Sequence, residues 1–316
     1  MSVFVQQSGS VCEFSNSDSW VILSPIEQSI KRKIEAVGTP LKDWDIQINY
    51  GIKTGYNDAF IINTEKRDEI LSNCQSEDER TRTAELIRPI LRGRDIKQYG
   101  YEWANLWLIY IPWHFPLQFD ESITGASKKA ETAFREQYPA VYQHMLEYKE
   151  PLSKRNKAET GIRYEWYAMQ RWGAKYWEDF NKPKIVWGEI SDRSKFAYEH
   201  RGKYIPEATT FLMVGNHLPY LFCVLNSPLS EWFFSKVGTT TGVGTVRWKK
   251  YTIQQLLLPN ITDKQRIKFD NVVEQYIKGG LTKTNFAKEV NAEIYKSVGL
   301  TDIEIDYVEN YYPPLT

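Results

Sequence analysis

Short apolar runs separated by amphipathic segments set the pattern of this chain. Residues 20–23 form an apolar run, and Ser24-Pro25-Ile26-Glu27 then supplies a capping serine, a proline at N1 and a glutamate at N3 of a helix. Isoleucine recurs every four residues along that helix, at positions 26, 30 and 34. Later apolar runs predict strands over residues 46–52, 106–111, 184–190, 196–198 and 210–214. The pattern predicts a mixed α/β (α+β) fold, with a twisted mixed sheet and flanking helices.

Helical periodicity dominates the rest of the chain. Residues 64–85 and 125–150 are predicted helical, and the second region divides at Tyr138-Pro139 because the residue before a proline resists the α conformation. Thr262 and Gln265 form a capping box, followed by one apolar helical stripe: Phe269, Val272, Val273, Tyr276 and Ile277. We predict a polar lead-in over residues 1–19, a main domain over 20–260 and a helical tail or spacer over 261–316. The lead-in could connect the chain to something upstream.

The first candidate site is the turn that runs from Gly51 to Gly55, after which an apolar run up to Ile62 predicts a strand. The two glycines surround Lys53 and Thr54, and Asn57 follows them. Glycine permits a tight turn and a close approach, while the lysine, the hydroxyl, the amide and the backbone N–H groups suit contact with a polyanion. The alternative is a tight turn between two strands, with a solvated lysine.

A basic patch lies between residues 80 and 97. Six basic residues face two acids there, which gives a net charge of +4. The alternative is a solvated helix face. Arg92-Gly93-Arg94 is the more specific feature, since paired arginine donors fit phosphate or guanine and the glycine permits close approach. Lys97 extends the patch.

A second basic patch covers residues 236–250. It holds four basic residues and no acid, among them Lys236, Arg247 and Lys249, around a glycine-threonine loop that includes Thr241. Hydroxyl and backbone N–H groups of such a loop can bind phosphate, although the spacing is not that of a nucleotide P-loop. The alternative is a mobile surface loop.

Three further basic positions or segments lie outside these patches. Arg171 lies within an aromatic block and is either a cation–π packing element or a reader of base edges. Arg193 ends a predicted turn after a strand. Residues 154–157 form a basic loop, for which we favour exposure to solvent over phosphate contact.

The segments GIKTGYNDAF and IRPILRGRDIKQY together resemble the TaqI-like C-terminal specificity domain. That family forms the target-recognition part of type IIG restriction-modification enzymes and of related adenine-specific DNA methyltransferases. The resemblance extends from about residue 20 to about residue 307. It implies that residues 20–260 recognise double-stranded DNA for a methyltransferase or endonuclease domain, located upstream or on a partner subunit. S-adenosylmethionine and Mg²⁺ are then expected only in those catalytic domains.

On this hypothesis the candidate residues divide by role. The candidates for phosphate positioning are Lys53, Thr54, Asn57, Arg92, Arg94, Lys97, Lys236 and Lys249. Thr241 is a further candidate DNA contact. The candidates for reading base edges in the major groove are Arg171, Arg193 and Arg247.

Composition changes this picture in two ways. The 40 Lys and Arg residues balance 40 Asp and Glu residues, and this neutrality counts against nucleic acid at the level of the whole chain. The three cysteines form no metal or disulfide pattern, and no signal peptide or long apolar run is present, which predicts a cytoplasmic protein without a membrane span.

Catalytic signatures are missing from the sequence. It contains neither a methyl-donor turn with an Asn/Asp-Pro-Pro-Tyr/Phe segment nor a convincing nuclease cluster, so the chain alone is predicted to be non-catalytic. Two alternatives remain: a divergent methyltransferase or nuclease, and a protein-interaction or scaffold module of a restriction system. The recognised DNA sequence, the nature of Met1 as a native start or a fragment boundary, and the oligomeric state cannot be read from the sequence.

Overall fold

The structure is a computed structural model that describes residues 23–237 and 246–311. Its helices are, in chain order, α1 (Pro25–Val37), α2 (Asn57–Phe60), α3 (Thr64–Ser72), α4 (Glu77–Leu86), α5 (Lys128–Gln137), α6 (Pro139–Glu147), α7 (Lys149–Lys154), α8 (Leu218–Leu225), α9 (Pro228–Val237), α10 (Lys250–Ile253), α11 (Asp263–Ile277), α12 (Lys283–Val298) and α13 (Asp302–Tyr311).

The strands are short and spread along the chain. They are β1 (Gly38–Pro40), β2 (Ile46–Tyr50), β3 (Ile61–Asn63), β4 (Ile87–Leu91), β5 (Ile96–Lys97), β6 (Gly100–Tyr101), β7 (Leu106–Ile109), β8 (Lys184–Gly188), β9 (Ile190–Ser191), β10 (Phe196–Glu199), β11 (Ile205–Pro206), β12 (Thr210–Gly215), β13 (Val246–Arg247) and β14 (Leu257–Pro259). The mixed α/β fold class predicted from the sequence is confirmed.

Two compact units divide the chain. The terminal unit comprises residues 1–46, 190–195 and 216–316, and the central unit comprises residues 47–189 and 196–215. The segment boundaries predicted from the sequence, at residues 19 and 260, stay a prediction.

The central unit is built on two four-stranded sheets. In the first, with the order β10–β8–β12–β2, β8 pairs antiparallel with both β10 and β12. In the second, with the order β11–β4–β7–β3, β4 pairs parallel with β11 and antiparallel with β7. Large aromatic side chains fill the core, and Phe60, Phe134, Tyr164 and Tyr167 are each fully buried. Such side chains bury much apolar area, so they stabilise short strands that could not hold together alone.

The terminal unit is mainly helical. Its β1 pairs antiparallel with β14, and β9 pairs antiparallel with β13. Helix α8 is buried from Leu218 to Leu225 apart from Pro219, as expected of a helix surrounded by others. Tyr276 of α11 stacks on Phe286 of α12, with 4.2 Å between the ring centroids. The tail is therefore helical, as its periodicity predicts.

Capping residues and prolines in the sequence correctly predict where several helices begin or end. Ser24 caps α1 through the predicted capping box, in which its backbone N–H donates to Glu27 Oε2 at 2.8 Å. The predicted division at Tyr138 separates α5 from α6. One member of the tail stripe differs from its prediction: Ile277 is 37% exposed, because α11 ends at that residue.

The apolar run after Gly55 also differs from its prediction. The chain forms the short helix α2 before it enters β3. Asn57 and Asp58 favour a turn over a strand, and the helical turn carries Ala59 and Phe60 into the core. The glycine turn therefore joins a strand to a helix rather than two strands.

Candidate nucleic-acid interface

The glycine turn of the central unit lies against the backbone of residues 206–210. The N–H of Gly51 donates to the carbonyl of Thr210 at 3.0 Å, and the N–H of Ile52 donates to the carbonyl of Pro206 at 2.9 Å. A Cβ atom at position 51 would lie 2.0 Å from the carbonyl oxygen of Glu207, so only glycine fits there. Gly55 has a φ of +81°, which glycine adopts without strain.

The polar side chains of this turn differ in exposure. Thr54 is only 3% exposed, and its hydroxyl donates to Asn57 Oδ1 at 2.5 Å. Asn57 and Lys53 are exposed. The Lys53 ammonium has no hydrogen-bond or ion-pair partner among the residues that the structure describes. Lys53 is therefore the cation that this turn presents to solvent.

Arg155 supports the glycine turn through hydrogen bonds to backbone carbonyls. The prediction that this residue is exposed to solvent is wrong. Its guanidinium donates to the backbone carbonyls of Thr54, Trp166 and Ala168, with a distance of 3.0 Å to Trp166. Burial lowers the pKa of Arg155 to about 10, so the side chain stays charged at neutral pH. The free-energy cost of removing the guanidinium charge from water is offset by its three hydrogen bonds. These hydrogen bonds also fix the backbone of the turn.

Arg171 holds the same turn from its other side. Backbone hydrogen bonds run both ways between Arg171 and Lys53, at 2.8 and 2.9 Å. The Arg171 guanidinium donates to the carbonyl of Gly51 at 2.9 Å and lies 5.5 Å from the ring centroid of Tyr50. These contacts give Arg171 a packing role, although its ring partner is Tyr50 of β2 and not a residue of the aromatic block. A role for Arg171 in reading bases stays a prediction.

The Arg92-Gly93-Arg94 motif forms a second turn of the central unit. Arg92 donates from Nε and Nη2 to Asp95, at 3.0 and 2.7 Å. Asp95 is only 5% exposed, so this ion pair braces the turn and raises the pKa of Arg92. Arg94 is exposed, and its guanidinium has no hydrogen-bond or ion-pair partner within residues 23–237 and 246–311. Lys97, also exposed, lies 3.6 Å from a carboxylate oxygen of Glu102.

Residues 206–210 connect the two turns, a link that the sequence did not reveal. The N–H of Glu207 donates to the carbonyl of Leu91 at 2.9 Å, directly before Arg92. The N–H of Gly93 donates to the hydroxyl of Thr209 at 3.3 Å, and that hydroxyl donates to Glu207 Oε2 at 2.7 Å. Since Gly51 and Ile52 bond to this same segment, the two glycine motifs share one backbone support. Glu207 and Thr209 belong to no recognisable sequence motif, so only the structure shows that they connect the two turns.

The terminal unit carries the other predicted residues. Arg247 is exposed on β13, opposite Ile190 of β9. Lys249 directs its ammonium at the ring of Tyr251, 5.9 Å from the centroid. Arg193 is held by Glu231, with 3.0 Å from Nε to Oε1 and 3.0 Å from Nη2 to Oε2. Thr241 lies outside the described residues.

Lys236, also in the terminal unit, forms an internal ion pair. Its ammonium lies 2.6 Å from Glu27 Oε1 and 4.6 Å from the ring centroid of Tyr311. Burial alone would raise the pKa of Glu27, but hydrogen bonds from Lys236, Ser24 and Tyr307 lower it to about 2. The charge of Lys236 is thus already matched by a carboxylate within the unit.

A family model matches a large part of this chain. The family model of the TaqI-like C-terminal specificity domain matches residues 88–258, more than half of the chain. The chain belongs to this family. The resemblance to this family is thereby confirmed. The match includes residues 88–99 of the second glycine motif, whereas the first motif, at residues 51–60, lies outside it.

This chain is similar to one methyltransferase in sequence and to two solved structures in fold. The type II methyltransferase M.MjaIV of Methanocaldococcus jannaschii is 18% identical over 260 residues, which cover 80% of this chain and 78% of the methyltransferase. The structure of the type IIL restriction-modification enzyme MmeI in complex with DNA is similar over 88% of this chain, with 14% identity and a TM-score of 0.45. The type IIG restriction endonuclease BpuSI is similar over 92% of this chain, with 12% identity and a TM-score of 0.49. The chain spans about a third of the length of these two solved chains, 34% in each case.

Two kinds of feature are absent from the residues that the structure describes. Within residues 23–237 and 246–311, no group of three or more His, Cys, Asp or Glu side chains is arranged to hold a metal ion. Among the helices of the same residues, none has the length and apolar character needed to cross a membrane.

Proposed function

We propose that this specificity domain reads the sequence of double-stranded DNA for a restriction-modification enzyme or an adenine-specific DNA methyltransferase. The observation that carries the proposal is the family match over residues 88–258, because the family is a specificity domain. The type II methyltransferase among the proteins similar to this chain supports the same kind of enzyme.

The distribution of charge in the central unit supports DNA as the ligand. Lys53, Arg94 and Lys97 are exposed cations on two turns that share the support of residues 206–210. Cations on a fixed backbone can neutralise phosphates and so set the register of a protein on a duplex. Local placement of cations thus accounts for DNA binding by a chain whose net charge is zero.

The predicted residues fall into two groups: exposed residues that could contact DNA, and residues whose side chains bond to other parts of the protein. Arg92, Arg193 and Lys236 are each paired with a carboxylate, and Arg171 is bonded to the glycine turn. We propose that these four residues hold the binding surfaces in shape. The phosphate contacts then come from exposed cations such as Lys53 and Arg94, with Lys249 and Asn57 as further contacts.

Catalysis belongs, on this proposal, to another domain. Methyl transfer or cleavage would be supplied by a methyltransferase or endonuclease domain, upstream in the polypeptide or on a partner subunit. S-adenosylmethionine and Mg²⁺ would bind there, and the assembly would act in the cytoplasm.

Selection from a random-sequence duplex pool tests the proposal. The purified chain is incubated with the pool at two salt concentrations, and the retained duplexes are sequenced. We expect enrichment of one motif of several base pairs, with weaker total binding at the higher salt because counterions compete with Lys and Arg. Absence of binding at both salt concentrations would contradict DNA recognition by this chain. Salt-sensitive binding without enrichment would contradict sequence reading by the chain alone.

A further inference from the structure

The β9–β13 ribbon of the terminal unit places an isoleucine opposite an arginine. Ile190 and Arg247 are partners in the antiparallel register, beside the pair Ser191 and Val246. Directly opposed residues of an antiparallel pair point to the same face, with Cβ atoms about 5 Å apart. Ile190 and Arg247 therefore present an apolar and a cationic side chain side by side.

Ile190 projects into solvent from this ribbon. It is 58% exposed, and Arg247 is exposed beside it. A single exposed isoleucine is common on protein surfaces, and Ile303 of α13, at 75%, is another. Ile190 differs from Ile303 in its position. It lies on a strand, opposite an arginine, within the segment that matches the specificity-domain family.

Both strands of the ribbon are anchored behind the exposed pair. Next to β9, Arg193 forms its two hydrogen bonds with Glu231, which also accepts the N–H of Ser194 at 2.9 Å. Next to β13, Trp248 stacks on Phe234 of α9, with 4.0 Å between centroids. Ile190 and Arg247 are thus held on a fixed backbone, which a residue that discriminates between bases requires.

Basic residues lie close to the pair in the chain. Lys249 and Lys250 follow Arg247, while an acid, Glu189, directly precedes Ile190. The next acid after Ile190, Asp192, is paired with Lys195 at 2.6 Å. Basic residues therefore outnumber acidic ones next to the pair in the sequence.

We propose that Ile190 reads the C5 methyl group of a thymine in the major groove, beside the base that Arg247 contacts. A two-stranded ribbon fits the major groove, where the thymine methyl is the one apolar group that distinguishes a base pair. Isoleucine can form no hydrogen bond with a base edge, so the methyl group is the feature that it can select. This inference rests on the proposed function and adds a specificity residue to it.

Replacement of thymine by deoxyuridine tests the inference, since deoxyuridine pairs like thymine but lacks the methyl group. In the motif selected by the full chain, each thymine is replaced in turn, and affinity is measured for the wild type, Ile190→Ala and Ile303→Ala. We expect one position where deoxyuridine weakens wild-type binding about fourfold, the factor that one buried methyl group supplies. Ile190→Ala should bind thymine and deoxyuridine equally at that position, whereas Ile303→Ala should behave as the wild type.

The outcomes separate this inference from the proposed function. If a motif is selected but Ile190→Ala, folded by circular dichroism, keeps the thymine preference, the assignment of Ile190 is wrong. A motif in which no thymine is sensitive to loss of its methyl group overturns it equally. If the wild type selects no motif, the proposed function fails and this inference falls with it.

Discussion

The guanidinium of Arg155 donates a hydrogen bond to the backbone carbonyl of Thr54, 101 residues earlier in the chain. Because the same guanidinium also bonds Trp166 and Ala168, it joins the glycine turn to the aromatic block. The turn therefore owes its shape to an arginine outside both family motifs.

Replacement of Arg155 should destabilise the protein. In Arg155→Ala three carbonyl groups lose a charged donor, and we expect a loss of about 3 kcal/mol in the free energy of unfolding. Urea unfolding followed by circular dichroism measures it. Lys157→Ala, an exposed change in the same loop, is the matched control and should be nearly neutral. Equal unfolding midpoints for Arg155→Ala and the wild type would show that these hydrogen bonds do not stabilise the turn.

Position 51 should tolerate only glycine. In Gly51→Ala the added Cβ would meet the backbone carbonyls of Glu207 at 2.0 Å and of Pro206 at 2.6 Å. Backbone atoms must move to relieve this overlap, so we expect a loss of about 3 kcal/mol. Gly100→Ala is the control, because nothing lies within 4 Å of a Cβ placed there. Thermal unfolding of the two variants side by side gives the comparison, and similar melting temperatures would contradict the close approach at residue 51.

Lys53 and Arg94 should contribute affinity without sequence preference. Each change to alanine should weaken binding to all duplexes alike and reduce the slope of log K against log salt by about one. Fluorescence anisotropy at several salt concentrations measures this slope. Lys288→Ala, which removes an exposed charge from helix α12, should leave it unchanged. A changed motif in Lys53→Ala would instead assign that residue to base reading.

The pair of Glu27 and Lys236 should make stability depend on pH. The pKa of Glu27 is lowered from 4.5 to about 2 in the folded protein. A carboxyl group with a lowered folded pKa stabilises above its unfolded pKa, and this stability is lost as pH falls from 4.5 towards 2. Glu27→Gln should therefore melt below the wild type at neutral pH, and the difference should shrink as pH falls through that range. Glu35→Gln, an exposed change on the same helix, is the control; a constant difference for Glu27→Gln would contradict the ion-pair account.

Local signals in the sequence predicted much of the fold. The capping boxes at Ser24 and Thr262 and the division at Tyr138 depend on residues close together in the chain, and the structure has all three. The family could be identified because the segments that carry the resemblance are contiguous, and the family match includes nearly all of the second.

The supports of the candidate site could not be predicted in this way. Arg155 stands in a basic loop whose composition is typical of solvent exposure, and its carbonyl partners are defined only by tertiary structure. Glu207 and Thr209 connect the two motifs mainly through backbone groups, which every residue possesses. The assignment of Arg171, Arg193 and Arg247 to base edges stays a prediction.

The ratio of specific to non-specific affinity tests the central claim most directly. The purified chain is titrated, at about 0.15 M salt, against the selected duplex and against a duplex of the same composition in permuted order. We predict that the selected duplex binds about a thousandfold more tightly, as is typical of specific recognition. Equal affinities would contradict the claim that this chain reads DNA sequence.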